Sequence, residues 1–263
     1  MLTAPWTTDS FADDFAAFVT ASPSSYHAAA EVARRLAEAG FERRDETAAW
    51  GGGADPVRAV VVRDGAVIAW RHAGGVAPTT PVRILGGHTD SPGFKLKPKP
   101  TRNAEGWFQA GVEVYGGPLL NSWLDRDLEL AGRLVTRDGA EHLVRTGPIA
   151  RIPQLAIHLD REANQGLTLD PQQHTQPVLG LFGDGADVLG LLAERAGIAA
   201  TDIAGTDVFT VDSQAPARLG AERELFASPR LDNLISVYAG MRALIAAEDS
   251  AEHISVFAGF DHE

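Results

Sequence analysis

The chain predicts an α/β fold, a central mixed sheet flanked by helices with a β-rich section inserted into it. Three features point there. Two helical stretches and a hairpin precede an apolar run at 82–87. A strongly amphipathic helix precedes a second apolar run at 253–260. Between them, from about 98 to 225, the chain breaks into short strand-like pieces separated by Gly and Pro.

Each element follows from local chemistry. Ser10 reads as an N-cap, with Phe11, Phe15 and Phe18 behind it on one helical face, and Pro23 ends that helix. A second helix starts near Ser24 and Ser25, runs through Val32 and Leu36, and stops at Gly40, a residue suited to C′. Gly51-Gly52-Gly53 follows no strand and precedes no helix, so it reads as a turn and not a phosphate cradle. Val57–Val62 and Ala66–Trp70 flank Asp64-Gly65, a hairpin in which Gly65 accepts the positive φ of the turn. Val82-Arg83-Ile84-Leu85 then leads to Gly86-Gly87-His88. Inside the inserted section, Gly111–Tyr115, Leu128–Val135 and Glu141–Arg145 read as strands, Asn164–Gln176 as a polar loop, Ala186–Ala196 as a helix and Asp207–Val211 as a strand. From Leu231 onward, Leu234, Val237, Tyr238, Met241, Leu244 and Ile245 fall at helical spacing. The domain reading is 1–97 and 226–263 as two parts of one domain, with 98–225 between them.

Composition narrows the function. A net charge of −12 argues against a nucleic-acid binder, which needs a basic footprint. With no Cys, a metal here must use His and carboxylates, and a reducing, cytoplasmic setting fits. No apolar stretch reaches the roughly 20 residues of a membrane span. Met1–Trp6 lacks the basic start of a signal peptide.

Three element ends carry the chemistry. In His88-Thr89-Asp90 the imidazole is a zinc donor, and a carboxylate two residues on can hold its other ring N–H. The same triplet also fits a strand-end histidine before a local turn. Asp232 opens the last helix, where an Asp is ordinarily a cap. Leu231 and Leu234 beside it suggest a carboxylate near a buried surface, in want of a cation. Asp261-His262-Glu263 tips the final apolar run, and a Glu near a metal is suited to take a proton from metal-activated water. His262 reads as support for the strand end, and His72, His142 and His253 as solvated strand positions.

Together these segments resemble the M18 family of metalloaminopeptidases, the aspartyl aminopeptidases. The matching pieces run in the family's order: Ser22–His27, Gly87–Phe94, Val114–Gly117, Trp123–Leu128, Ile152–Leu159, Ser228–Leu234 and Phe260–Glu263. The resemblance implies a zinc-peptidase fold with an inserted dimerisation domain. It implies two Zn²⁺ per complete site, with His88 and Asp232 as metal ligands and Asp232 bridging. Asp90 is implied as the catalytic partner of His88, Glu263 as the general base, and His158 as a substrate-binding residue offered to a neighbouring subunit. The activity implied is removal of an N-terminal, acidic residue from peptides by a homo-oligomer, a dimer or a larger shell.

The chain stops inside the family's Asp-His-Glu-Glu motif, before its remaining ligands. That leaves a second reading, a non-catalytic fragment or assembly module of such a peptidase. It also leaves the strand at 253–260 as an unpaired apolar edge.

Overall fold

The computed structural model describes residues 7–50 and 57–262. Met1–Trp6, the Gly51–Gly53 turn and Glu263 lie outside the described residues. In chain order the helices and strands begin with α1 (Thr8–Ala21), α2 (Ser25–Glu38), β1 (Glu42–Arg43), β2 (Arg58–Arg63), β3 (Ala66–Arg71) and β4 (Val82–His88). Next come β5 (Gly93–Ala104), β6 (Trp107–Tyr115), β7 (Leu128–Thr136), β8 (Glu141–Arg145), β9 (Val178–Leu181), α3 (Val188–Ala196) and β10 (Ile203–Asp212). The chain closes with β11 (Ala217–Leu219), β12 (Leu225–Ala227), α4 (Leu231–Ala246) and β13 (Ile254–Phe260). The chain divides into two compact units, Met1–Ser91 with Ala215–Glu263, and Pro92–Gln214.

The first unit is built on a five-stranded sheet of order β1-β2-β3-β13-β4. Its core joins Phe15, Phe18 and Val19 of α1, Val32 and Leu36 of α2, and Leu234, Tyr238 and Met241 of α4 to Val60, Val67, Ala69 and Phe257 of the sheet. Both N-terminal helices are capped by hydroxyls. Thr7 caps α1 in a box with Ser10, one turn earlier than Ser10 itself, and Ser24 caps α2. Gly40 follows α2 at φ +87°, which an L side chain resists.

Two sequence expectations change here. β13 is not an edge: it pairs antiparallel with β3 and parallel with β4. Among the described residues the edges are β1 and β4, and on β4 Val82, Ile84 and Leu85 are 51%, 64% and 53% exposed. The β2–β3 hairpin forms, but its positive φ, 53°, falls on Asp64. Gly65 is required for a different reason. A Cβ there would lie 2.2 Å from Asp261 Oδ2 and 2.6 Å from Ser25 Oγ.

The inserted unit holds a six-stranded antiparallel sheet of order β8-β7-β10-β5-β6-β9. Its core packs Val188 and Leu192 of α3 with Phe94, Leu96, Val112, Leu128, Leu130, Leu134 and Val208. The Lys95–Pro100 run, which marks a change of texture in the sequence, lies in a long strand. Pro98 and Pro100 fit because the β5–β6 register shifts between Leu96 and Thr101, where the ladder asks for no N–H. No helix among the described residues is long and apolar enough to cross a membrane.

Candidate metal centre

Parallel pairing sets the centre. β4 and β13 run in register from Ile254 opposite Val82 to Phe260 opposite His88, so both strands finish at one level. Gly87 packs beside the start of α4, where a Cβ would make ordinary contact, 3.4 Å from Ser236 Cβ and 3.5 Å from Val237 N. Gly86 meets nothing.

His88 is held from both ring nitrogens. Nδ1 lies 3.1 Å from Asp90 O and 3.3 Å from Asp90 Oδ1, while Nε2 lies 3.2 Å from Asp232 Oδ1. The imidazole is 13% exposed and Asp90 is buried. Asp232 is different from the sequence expectation on two counts. Its carboxylate is 92% exposed rather than set near buried surface. Nor does it cap α4. The backbone at Asp232 (φ −86°, ψ 108°) and Asn233 is not helical, the Asp232–Asn233 peptide is cis, and no side chain bonds the helix N-terminus. Leu234 is buried one step later, where the helix turns regular. The Ser91 hydroxyl donates to the Asp232 carbonyl at 3.2 Å and ties this corner to the end of β4.

The donor chemistry suits zinc. An imidazole nitrogen and a carboxylate oxygen on one tetrahedral Zn²⁺ stand about 3.3 Å apart, given bond lengths near 2.0–2.2 Å. The 3.2 Å between His88 Nε2 and Asp232 Oδ1 meets that spacing. The donor count falls short. Among the described residues no group of three or more His, Cys, Asp or Glu could hold a metal ion, and a zinc site needs at least three protein ligands. Glu263 lies outside the described residues.

Asp261 is the residue that sequence reasoning passed over. Its side chain is only 5% exposed, although it sits in a charged run at the strand tip. Burial pushes its carboxyl above the usual carboxylate range, opposed by the nearby His262 and Ser25. Asp261 Oδ1 accepts from the His262 N–H at 3.1 Å. His262 itself is exposed, 3.6 Å from Asp261 Oδ2. His72 is buried rather than solvated, its Nδ1 accepting from the Gly74 N–H at 2.9 Å. His158, in the inserted unit, is exposed in a turn between Leu155 and Leu159, themselves 60% and 75% exposed.

Comparison with known proteins adds the following. The aminopeptidase I zinc metalloprotease family (M18) matches residues 18–263. The protein of Streptomyces avermitilis described as "Probable M18 family aminopeptidase 2" is 51% identical over 261 residues, covering 95% of this chain and 59% of that protein. The chain thus spans about 59% of the length of the curated relatives it matches. The solved structure of the Ape4 and Nbr1 complex matches with a TM-score of 0.88 at 33% identity, covering 96% of this chain and 54% of that one. The S. cerevisiae mApe1 dodecamer matches with a TM-score of 0.81 at 25% identity, covering 96% and 60%.

Proposed function

The chain belongs to the M18 zinc metalloprotease family, and from that premise we propose that it serves hydrolysis of the N-terminal residue of peptides, an acidic residue by preference. The observation that carries this is the approach of His88 Nε2 to Asp232 Oδ1, 3.2 Å, with the other face of the imidazole held by Asp90. His88 and Asp232 would hold zinc, two ions in a complete site. Zinc, when bound, supplies acidification of water and polarisation of the scissile carbonyl.

The chain's own residues do the rest. Asp90 holds the Nδ1 side of the ring and fixes its orientation, so that Nε2 would give its lone pair to a metal shared with Asp232. Glu263 acts as general base and returns the proton to the leaving amine. His158 contributes to substrate binding in a neighbouring subunit of a homo-oligomer. The dodecameric relative supports that assembly, and the exposed Leu155 and Leu159 beside His158 support its placement at a contact surface. The inserted unit serves assembly and the first unit serves chemistry. A cytoplasmic enzyme fits the Cys-free sequence.

A second reading has its own support. Two donors among the described residues favour a non-catalytic piece or assembly module. Release of aspartate or glutamate from an N-terminal Asp or Glu amide, with and without chelator, separates the two. Activity that chelation removes and His88→Ala lacks supports the peptidase. Zinc uptake without turnover supports the module.

A further inference from the structure

We infer that Thr89 is a positioning residue, whose hydroxyl clamps the tip of β4 to the tip of β13 and so sets where His88 and Asp261 stand. The inference rests on the reading of His88 as a metal donor, and it deepens that reading.

Thr89 lies between His88 and Asp90 and is 2% exposed. Its hydroxyl donates to Gly65 O at 2.6 Å and lies 3.1 Å from Phe260 O, which also accepts the Thr89 N–H at 2.7 Å. One residue therefore joins the β2–β3 turn, the end of β4 and the end of β13. Its methyl is placed as closely as its hydroxyl. A Cβ on Gly259 would come within 3.3 Å of Thr89 Cγ2, so Gly259 leaves the room the methyl needs. The β2–β3 turn is locked from its other side, where the Asp261 carboxylate and the Ser25 hydroxyl fill the space a Gly65 side chain would take. Serine would keep the hydroxyl and lose the packing. Valine would keep the packing and lose the hydroxyl. Both functions converge on the backbone that carries His88 and Asp90.

The test uses the full chain and three variants, Thr89→Val, Thr89→Ala and Thr89→Ser. Two quantities are read: amide hydrogen exchange at residues 88–90 and 260–262, and the affinity for Zn²⁺ alone by calorimetric titration, with His88→Ala as the baseline. Without the hydroxyl, exchange at both tips rises by about tenfold or more while α2 and α4 stay protected. Zinc affinity drops by about tenfold or more, as for other residues that orient a ligand. Thr89→Ser restores both to within about threefold. Thr89→Ala carries the same expectation as Thr89→Val and serves if the latter does not fold.

Unchanged exchange in both hydroxyl-free variants overturns the clamp. Loosened tips with undiminished zinc affinity overturn it as well, since Thr89 would then be structural only. If wild-type protein binds zinc no better than His88→Ala, the metal reading of His88 fails separately, and the exchange measurement alone decides the clamp.

Discussion

Each unit draws a carboxylate out of solvent, Asp207 half-buried and Asp261 buried, and the two are held in opposite ways. In the inserted unit, desolvation raises the Asp207 carboxyl, but hydrogen bonds from Arg133 (2.8 Å) and Lys95 (2.7 Å) outweigh it and leave it below the ordinary range. In the first unit, Asp261 has burial without a Lys or Arg among its causes, and it sits above the range. The first arrangement belongs to a strand pair locked by charge. The same contrast runs through the sheets. The inserted unit's edge strand β8 starts on Glu141 and ends on Arg145, charges that discourage further pairing. An edge of the first unit, β4, exposes apolar residues with only Arg83 among them. At these two edges the inserted unit presents charge and the first unit presents apolar surface.

Variants in each unit sharpen the contrast. The largest effect falls at Gly132 of β7. A Cβ there would lie 2.0 Å from Asp207 O and 2.6 Å from Val208 Cα, backbone that has no rotamer to change. Gly132→Ala should cost about 3 kcal/mol or more in denaturant unfolding of the inserted unit. Asp207→Asn comes next, at about 2 kcal/mol near neutral pH, because it leaves Arg133 and Lys95 short of an anion. Gly240→Ala in α4 meets the Phe257 ring at 2.6 Å, a buried side chain that has to shift to make room. Its cost, about 1 kcal/mol, is partly offset by alanine's better helix propensity. A larger loss at Gly240 than at Gly132 would reverse the ranking of the two interfaces.

The two carboxylates predict opposite pH responses. A lowered folded pKa stabilises above the unfolded value, about 3.9 for Asp, and that stability is lost as pH falls through the folded pKa. The destabilisation by Asp207→Asn is therefore greatest near neutral pH and shrinks in acid. A raised folded pKa works the other way: its stability is present below about 3.9 and lost as pH rises through the folded pKa. Asp261→Asn should accordingly raise the melting temperature near neutral pH, and the gain should shrink as pH falls toward about 4. A destabilising Asp261→Asn at neutral pH would mean that the buried carboxylate is ion-paired after all. The smallest effect on stability is at the open edge. Ile84→Lys should change it by no more than about 0.5 kcal/mol and reduce aggregation, read as light scattering on storage.

The sequence disclosed some levels better than others. Phenylalanine spacing placed α1 and the serines at 24–25 placed α2, because those signals are local, although the α1 cap is Thr7 and not Ser10. β5 was hidden by Pro98 and Pro100, which argue against a strand until a register shift accommodates them. Strand order is non-local, so the sequence put an open edge at β13 when the edges lie at β1 and β4 among the described residues. Asp261 reads as part of the charged run at the strand tip, and only the fold shows the slot at Gly65 that buries it. The approach of His88 to Asp232 could not be read from spacing at all. It followed from the ordered family motifs, and the structure brings the two side chains to 3.2 Å.

The most direct test of the account is histidine side-chain NMR during titration of Zn²⁺ into the full chain. The account predicts that His88 responds first and through Nε2, and that Asp232→Asn weakens the response by about tenfold or more. Zinc that perturbs another histidine first, or a His88 response indifferent to Asp232, would contradict it.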